Sequence, residues 1–236
     1  MLMGPQNLPL RITEVRERVA RAAAAAGRSA QSVTVLAVGK AQPPATLAAA
    51  ARLGLKDFGE SYLQEALEKI AALHDYALTW HFIGRVQANK TRAIAESFAW
   101  VHAVDRLKIA ARLSAQRPYH APPLNVCLQV NVAGELSKGG VEPAELPALA
   151  AAVAQLPRLT LRGLMCIPPQ ESEPARQRAW FAKVAALQAQ INARGAALDT
   201  LSMGMSGDFE AAIEAGATLV RLGTILFGAR APHSPG

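Results

Sequence analysis

Val33-Thr34-Val35-Leu36-Ala37-Val38-Gly39-Lys40-Ala41-Gln42-Pro43-Pro44-Ala45-Thr46-Leu47 holds one repeat of the fold in miniature. Residues 33–38 are apolar or β-branched without alternation, which suits a strand covered on both faces. The proline pair opens a helix over 43–52, where proline is tolerated in the first turn, and Gly54 ends it. Working outward, residues 8–26 have helical spacing, with Leu10, Ile12, Val15, Val19 and Ala22 near one face and Gly27 as terminator. Further strands are predicted at 55–59, 79–84, 100–104, 124–131, 161–167, 198–203 and 218–222. Helices are predicted at 62–73, 87–97, 106–117, 143–155, 176–194 and 209–215. An open doubly wound sheet fits part of this pattern. Eight strand–helix alternations in a chain this short favour an α/β protein built as a single (β/α)8 TIM barrel, with an extra N-terminal helix.

The chain has 236 residues, 51% hydrophobic and 18% charged, enough for one sizeable core over its whole length. Residues 1–7 and 231–236 read as flexible ends. The net charge of +7 raises nucleic acid as a partner, but the basic residues are scattered, without a run of five or interleaved aromatics. A solvated basic surface or attraction for a phosphorylated small molecule fits better. Cys127 and Cys166 lie in apolar runs outside CxxC spacing, so buried reduced thiols are expected and no metal site. No stretch has the length of a membrane span and no leader is evident, so a cytoplasmic protein is expected.

Barrel sites lie at the carboxyl ends of the strands. Polar residues there are Lys40, Glu60, Ser61, His81, Asp105, Asn131, Ser202, Ser206, Arg221, Gly223 and Thr224. Lys40 after an apolar strand is either a snorkelling side chain or a desolvated, nucleophilic amine. Met203-Gly204-Met205-Ser206-Gly207-Asp208 and then Gly223-Thr224 offer backbone N–H groups and hydroxyls to an anion, with a helix beginning near Asp208. A tight loop capped by Asp208 is the competing reading. An amine at one strand end and a phosphate cradle at two others suit an aldehyde cofactor bearing a phosphate, a pyridoxal 5′-phosphate Schiff base on Lys40. Arg221 beside the cradle is either a rim salt bridge or the partner of the pyridine nitrogen. His81 is either a hydrogen-bonded core histidine or a cofactor contact. Gln87-Ala88-Asn89-Lys90 is a polar helix start or a closing loop, and residues 134–140, with Lys138, look like a flap beside Asn131.

The run Leu36-Ala37-Val38-Gly39-Lys40, the run Phe58-Gly59-Glu60-Ser61-Tyr62-Leu63-Gln64-Glu65, and Trp80-His81-Phe82-Ile83-Gly84-Arg85-Val86-Gln87-Ala88-Asn89-Lys90 carry a resemblance. So do Val101-His102-Ala103-Val104-Asp105-Arg106, Gln129-Val130-Asn131, Gly163-Leu164-Met165, Leu201 through Ser206, and Val220-Arg221-Leu222-Gly223-Thr224. Together they resemble the YggS/PROSC family of pyridoxal phosphate homeostasis proteins. The resemblance implies an alanine racemase N-terminal-domain-like barrel (fold type III). It makes Lys40 the Schiff-base lysine and sets Arg221 against the pyridine nitrogen. Ser206, Gly223 and Thr224 would hold the phosphate, with Met203 and Gly204 lining the loop and Ser61 and His81 completing the cofactor-binding set. The chain departs from the family pattern at Ser61, usually asparagine, and at Gly207, usually acidic, which is expected to loosen the start of the following helix.

Two functions compete. A carrier binds and hands over pyridoxal phosphate, to dependent apo-enzymes among others, with no catalytic residue of its own. A racemase or lyase needs an acid/base group on each face of the α-carbon, and in alanine racemases a tyrosine from a further domain supplies one. The tyrosines here are Tyr62, Tyr76 and Tyr119, none at an evident catalytic position, and the chain stops just past the last strand. A monomeric carrier in vitamin B6 homeostasis is the expectation.

Overall fold

The computed structural model describes residues 7–135 and 139–228. Lys138 and the two expected flexible ends lie outside them, apart from Asn7. Eight parallel strands close into a ring in sequence order. They are β1 Thr34–Val38, β2 Asp57–Glu60, β3 Thr79–Phe82, β4 Trp100–Val104, β5 Leu124–Val130, β6 Leu159–Cys166, β7 Thr200–Ser202 and β8 Leu219–Leu222. Helices follow them on the outside: α2 Pro44–Arg52, α3 Leu63–Ala72, α4 Thr91–Ser97, α5 Leu107–Gln116, α6 Leu146–Ala154, α7 Pro174–Asn192, α8 Phe209–Glu214 and α9 Thr224–Phe227. The extra helix α1, Leu8–Ala25, packs on α8 and α9.

Strand burial follows from this plan, since each strand is covered by helices outside and by side chains in the lumen. Phe58, Phe98, Phe181 and Phe209 are fully buried. Gly54 sits at φ +88° just past the end of α2, and Leu55 N–H donates to Ala50 O at 3.2 Å, closing the helix and turning the chain into β2. The ring closes where β1 pairs with β8, Ala37 opposite Leu222, so the turns after the first and last strands are neighbours.

The structure corrects some boundaries. Leu10 is 69% exposed, and Leu8 instead joins Ile12, Val15, Val19 and Ala22 on the buried face. Residues two apart fall on nearly opposite sides of a helix, so Leu10 and Ile12 cannot share one. The helix expected over 87–97 is a 3₁₀ turn, Ala88–Lys90, followed by α4, and α9 was not anticipated.

Gly163 on β6 lies so close to β7 that an added methyl group would overlap the Thr200 carbonyl oxygen, whereas one on Gly207 would meet nothing within 4 Å. Gly163→Ala is therefore expected to cost at least ~3 kcal/mol in urea unfolding, and Gly207→Ala to stay within ~0.5 kcal/mol of wild type. Equal costs would contradict this account of the β6–β7 approach.

Candidate functional site

A cavity of about 290 Å³ opens at the carboxyl ends of the strands, at the β1–β8 seam. Its walls include Lys40, Ser61, Ser206, Arg221, Gly223 and Thr224, joined by Val38, Ile83, Ile167, Met205 and Gly207. One amine, one guanidinium and hydroxyls from three side chains thus face one small space, near the lower limit of small-ligand pockets, ~300 Å³. A larger hollow of about 690 Å³ between α6 and α7 is lined mainly by alanine and offers no comparable chemistry.

Lys40 is aimed by the turn that holds it. Gly39 O accepts from Gln42 N–H at 2.9 Å, placing Lys40 and Ala41 at the centre. Ala41 adopts φ +62°, a left-handed conformation that costs an L-residue about 1–2 kcal/mol. A buried ionic cluster holds it there. Ala41 N–H donates to Glu65 Oε1 at 2.6 Å, and Lys69 Nζ donates to Gly39 O, Glu60 Oε1 and Glu65 Oε1 at 2.7, 2.8 and 2.6 Å. The peptide groups on both sides of Lys40 are therefore pinned by side chains from α3. Glu60 is fully buried, and its Oε2 has no hydrogen-bond partner among the described residues. Burial outweighs the Lys69 ammonium and raises the Glu60 carboxyl from 4.5 to about 7.

The opposite wall is the loop after β7. Gly204 lies at φ +93°, and a methyl there would approach Ala212 Cβ to 2.6 Å, so only glycine fits the turn. Gly204 O accepts from Arg221 N–H at 2.9 Å, and Ser206 Oγ accepts weakly from Ile225 N–H at 3.4 Å, joining this loop to the start of α9. Asp208 makes no side-chain cap on α8. Its Oδ1 accepts from Met205 N–H at 2.6 Å and closes the loop on itself. With α8 only six residues long, Met205, Ser206 and Gly207 of the loop, and not a long helix dipole, face the cavity.

Arg221 is buried and has no carboxylate among its hydrogen-bond partners in the described residues. One terminal nitrogen donates to Ser202 O and Ser202 Oγ at 2.5 and 2.9 Å, the other to Cys166 O at 2.8 Å. Burial lowers its pKa.

The cavity thus brings together Lys40, Ser61, Ser206, Arg221, Gly223 and Thr224. Met203 is packed in the core and Gly204 supplies backbone only, so neither lines it. His81 is also outside it. Its Nε2 meets Asp57 Oδ1 at 3.1 Å and its ring stacks on Trp100, beside a pocket at the amino-terminal mouth of the barrel. Reading along the sequence missed Lys69, Asp57 and His102. Lys69 leaves a trace there: with Ala66, Ile70 and Leu73 it occupies the apolar stripe of α3, where a lysine needs buried partners.

Residues 11–231 match the family model described as the alanine racemase N-terminal domain. A pyridoxal phosphate homeostasis protein of Pseudomonas aeruginosa is 60% identical, covering 95% of this chain and 96% of its own. Its counterpart in Escherichia coli K12 is 50% identical over 93% and 95%. The chain belongs to this family. Among solved structures, PipY of Synechococcus elongatus without PLP is 36% identical with a TM-score of 0.84, covering 94% of this chain and all of PipY. PipY has also been solved with PLP bound, at 35% identity and TM-score 0.82. The alanine racemase of Corynebacterium glutamicum, at 19% identity and TM-score 0.65, shares the fold, and the match covers 62% of its chain.

The Glu60 shift has a signed consequence. The native carboxyl holds its proton up to about 7, the unfolded one only to 4.5, so this contribution is complete below 4.5 and is lost as pH rises through about 7. The change is on the order of 3 kcal/mol. Buried His81 and His102 are lowered from 6.5, so their contribution has the opposite sign and is lost as pH falls below that value. Glu60→Gln should remove the first effect only. Urea midpoints of the variant should no longer fall relative to a neutral reference between about pH 4.5 and 7; an unchanged wild-type profile would contradict the assignment.

Proposed function

We propose that this chain binds pyridoxal 5′-phosphate at the β1–β8 seam and carries it in vitamin B6 homeostasis without turning over a substrate. The observation that carries this reading is the meeting of one amine, one anion cradle and one donor-only arginine in a single small cavity. Identity of 60% to a named pyridoxal phosphate homeostasis protein and the likeness to PLP-bound PipY support it.

When bound, the cofactor supplies an electrophilic aldehyde and a conjugated ring. Among the described residues lining the cavity Lys40 is the one amine, and its pinned turn would orient Nζ toward the aldehyde carbon. Ser206, Thr224 and the N–H groups around Gly223 take the phosphate. Ser61 would lie beside the ring, and Arg221 would donate toward the pyridine nitrogen. A guanidinium has no lone pair with which to accept a proton, so that nitrogen would stay unprotonated and the ring would be a weak electron sink. Tyrosines are also missing from the cavity wall: Tyr62 is 60% and Tyr119 93% exposed, and Tyr76 packs beside the core. Both features favour holding the cofactor over racemisation. Cys127 and Cys166 are buried thiols raised to about 12 by desolvation and take no part. No helix among the described residues is long and apolar enough to cross a membrane, and we place the protein in the cytoplasm.

Alanine and other small amino acids incubated with the loaded protein and resolved by enantiomer should show no interconversion. Robust interconversion abolished by Lys40→Ala would make the protein a racemase. Ser206→Ala together with Thr224→Ala should weaken cofactor retention more than either alone, because two hydroxyls share one anion. Unchanged retention in the double variant would place the phosphate elsewhere.

A further inference from the structure

A chain of hydrogen bonds crosses the lumen of the barrel. His81 Nε2 meets Asp57 Oδ1 at 3.1 Å, His81 Nδ1 meets His102 Nε2 at 3.0 Å, and His102 Nδ1 meets Ser202 Oγ at 2.8 Å. Ser202 Oγ in turn accepts from Arg221 at 2.9 Å. The participants come from β2, β3, β4, β7 and β8. Because β4 and β7 are not neighbours in the ring, the His102–Ser202 bond must span the interior. His81, His102, Ser202 and Arg221 are all buried, while Asp57 reaches the amino-terminal pocket with its side chain 31% exposed.

The ends fix the direction of every proton in the chain. A guanidinium only donates and a carboxylate only accepts. Burial keeps both imidazoles neutral, and the Asp57 carboxylate can only accept, so the order of donors runs back from Asp57 and leaves His102 Nδ1 to accept the Ser202 proton. His102 then carries its proton on Nε2 and donates to His81 Nδ1, and His81 carries its proton on Nε2 and donates to Asp57. Both neutral rings are therefore in the same tautomer. Burial lowers both imidazoles, His102 well below 6.5, in agreement with that assignment. Other titratable or charged groups near the chain are Cys127, Cys166 and Asp208 around Arg221, and Arg162 over the Trp100 ring.

We infer that Asp57, His81, His102 and Ser202 are positioning residues for Arg221, a one-way donor chain that holds the guanidinium at the cofactor site from the opposite mouth of the barrel. The inference rests on the pyridoxal phosphate reading for its functional consequence, though not for the chain itself. Aligned donors polarise one another, so the Asp57 carboxylate supports the buried cation through two neutral rings. Without an acceptor at His102 Nδ1, the serine proton has no outlet along the chain, and Arg221 loses the fixed geometry in which it meets the ring nitrogen.

Two arms test this. In the cofactor-free protein, long-range ¹⁵N–¹H spectra should show both rings with the proton on Nε2 and no titration around about pH 6.5, the ordinary histidine value. A proton on Nδ1 of either ring, or an imidazolium forming there, overturns the chain whatever the protein binds. In the loaded protein, His102→Asn keeps an oxygen acceptor where Nδ1 stands, and His102→Gln places its amide where Nε2 stands. Asparagine, which keeps the acceptor for the serine proton but breaks the link to His81, should shift the absorption maximum and the release rate no more than Asp57→Ala does. Glutamine, like Asp57→Ala, should shift the maximum and speed release about tenfold. Asp57→Asn, which retains an acceptor, should rescue. Should His102→Gln fail to fold, Ser202→Ala cuts the same chain by one hydroxyl and should give the same faster release. Wild-type maxima and rates in folded His102→Gln or Ser202→Ala, and in Asp57→Ala, would overturn the inference. Failure of wild type to take up pyridoxal phosphate would instead sink the cofactor reading and leave the spectroscopic arm to decide the chain.

Discussion

Burying the Arg221 guanidinium with no carboxylate bonded to it is the constraint around which the rest of the barrel is arranged. A cation taken out of water is costly unless its donors are satisfied. Here Ser202 O, Ser202 Oγ and Cys166 O take three of its five N–H donors, so one side chain ties β8 to β7 and β6. That fixes the phosphate-sized loop after β7 relative to β8. It also forces a polar interior: the serine that accepts from Arg221 needs an acceptor of its own, and His102, His81 and Asp57 carry that requirement to the far mouth.

The seam between β1 and β8 turns this framework into a site. Pairing of the first and last strands brings the Lys40 turn against Gly223 and Thr224, so residues about 180 positions apart share one cavity through ring closure. The two walls are stabilised differently. On one, Glu65 and Lys69 hold a left-handed alanine beside Lys40 with buried charge. On the other, a glycine turn and Asp208 hold the loop through backbone hydrogen bonds. Both leave short, rigid approaches to a common space, which is what preorganised ligand capture requires.

Much of the fold was legible because several strands, β1 among them, are continuously apolar or β-branched and because some helices have a glycine stop, as at Gly27 and Gly54. Boundaries shifted where a local pattern was ambiguous. Leu10 is apolar and near the start of a helix, yet angular position puts it in water. Lys40, Arg221 and the Gly204–Ser206 loop were visible as polar or glycine residues at strand ends. Asp57, His102 and Lys69 were not, because their roles depend on partners across the ring or on a neighbouring helix. His81 was visible, but parity along a strand does not say which mouth of the barrel a luminal side chain serves.

Reduction with borohydride in the presence of pyridoxal phosphate, followed by peptide mass mapping, tests the central claim most directly. One stoichiometric reduced adduct on the peptide containing Lys40, absent in Lys40→Ala, is the predicted result. Unmodified protein under excess aldehyde and reductant, or an adduct confined to other lysines, would contradict it.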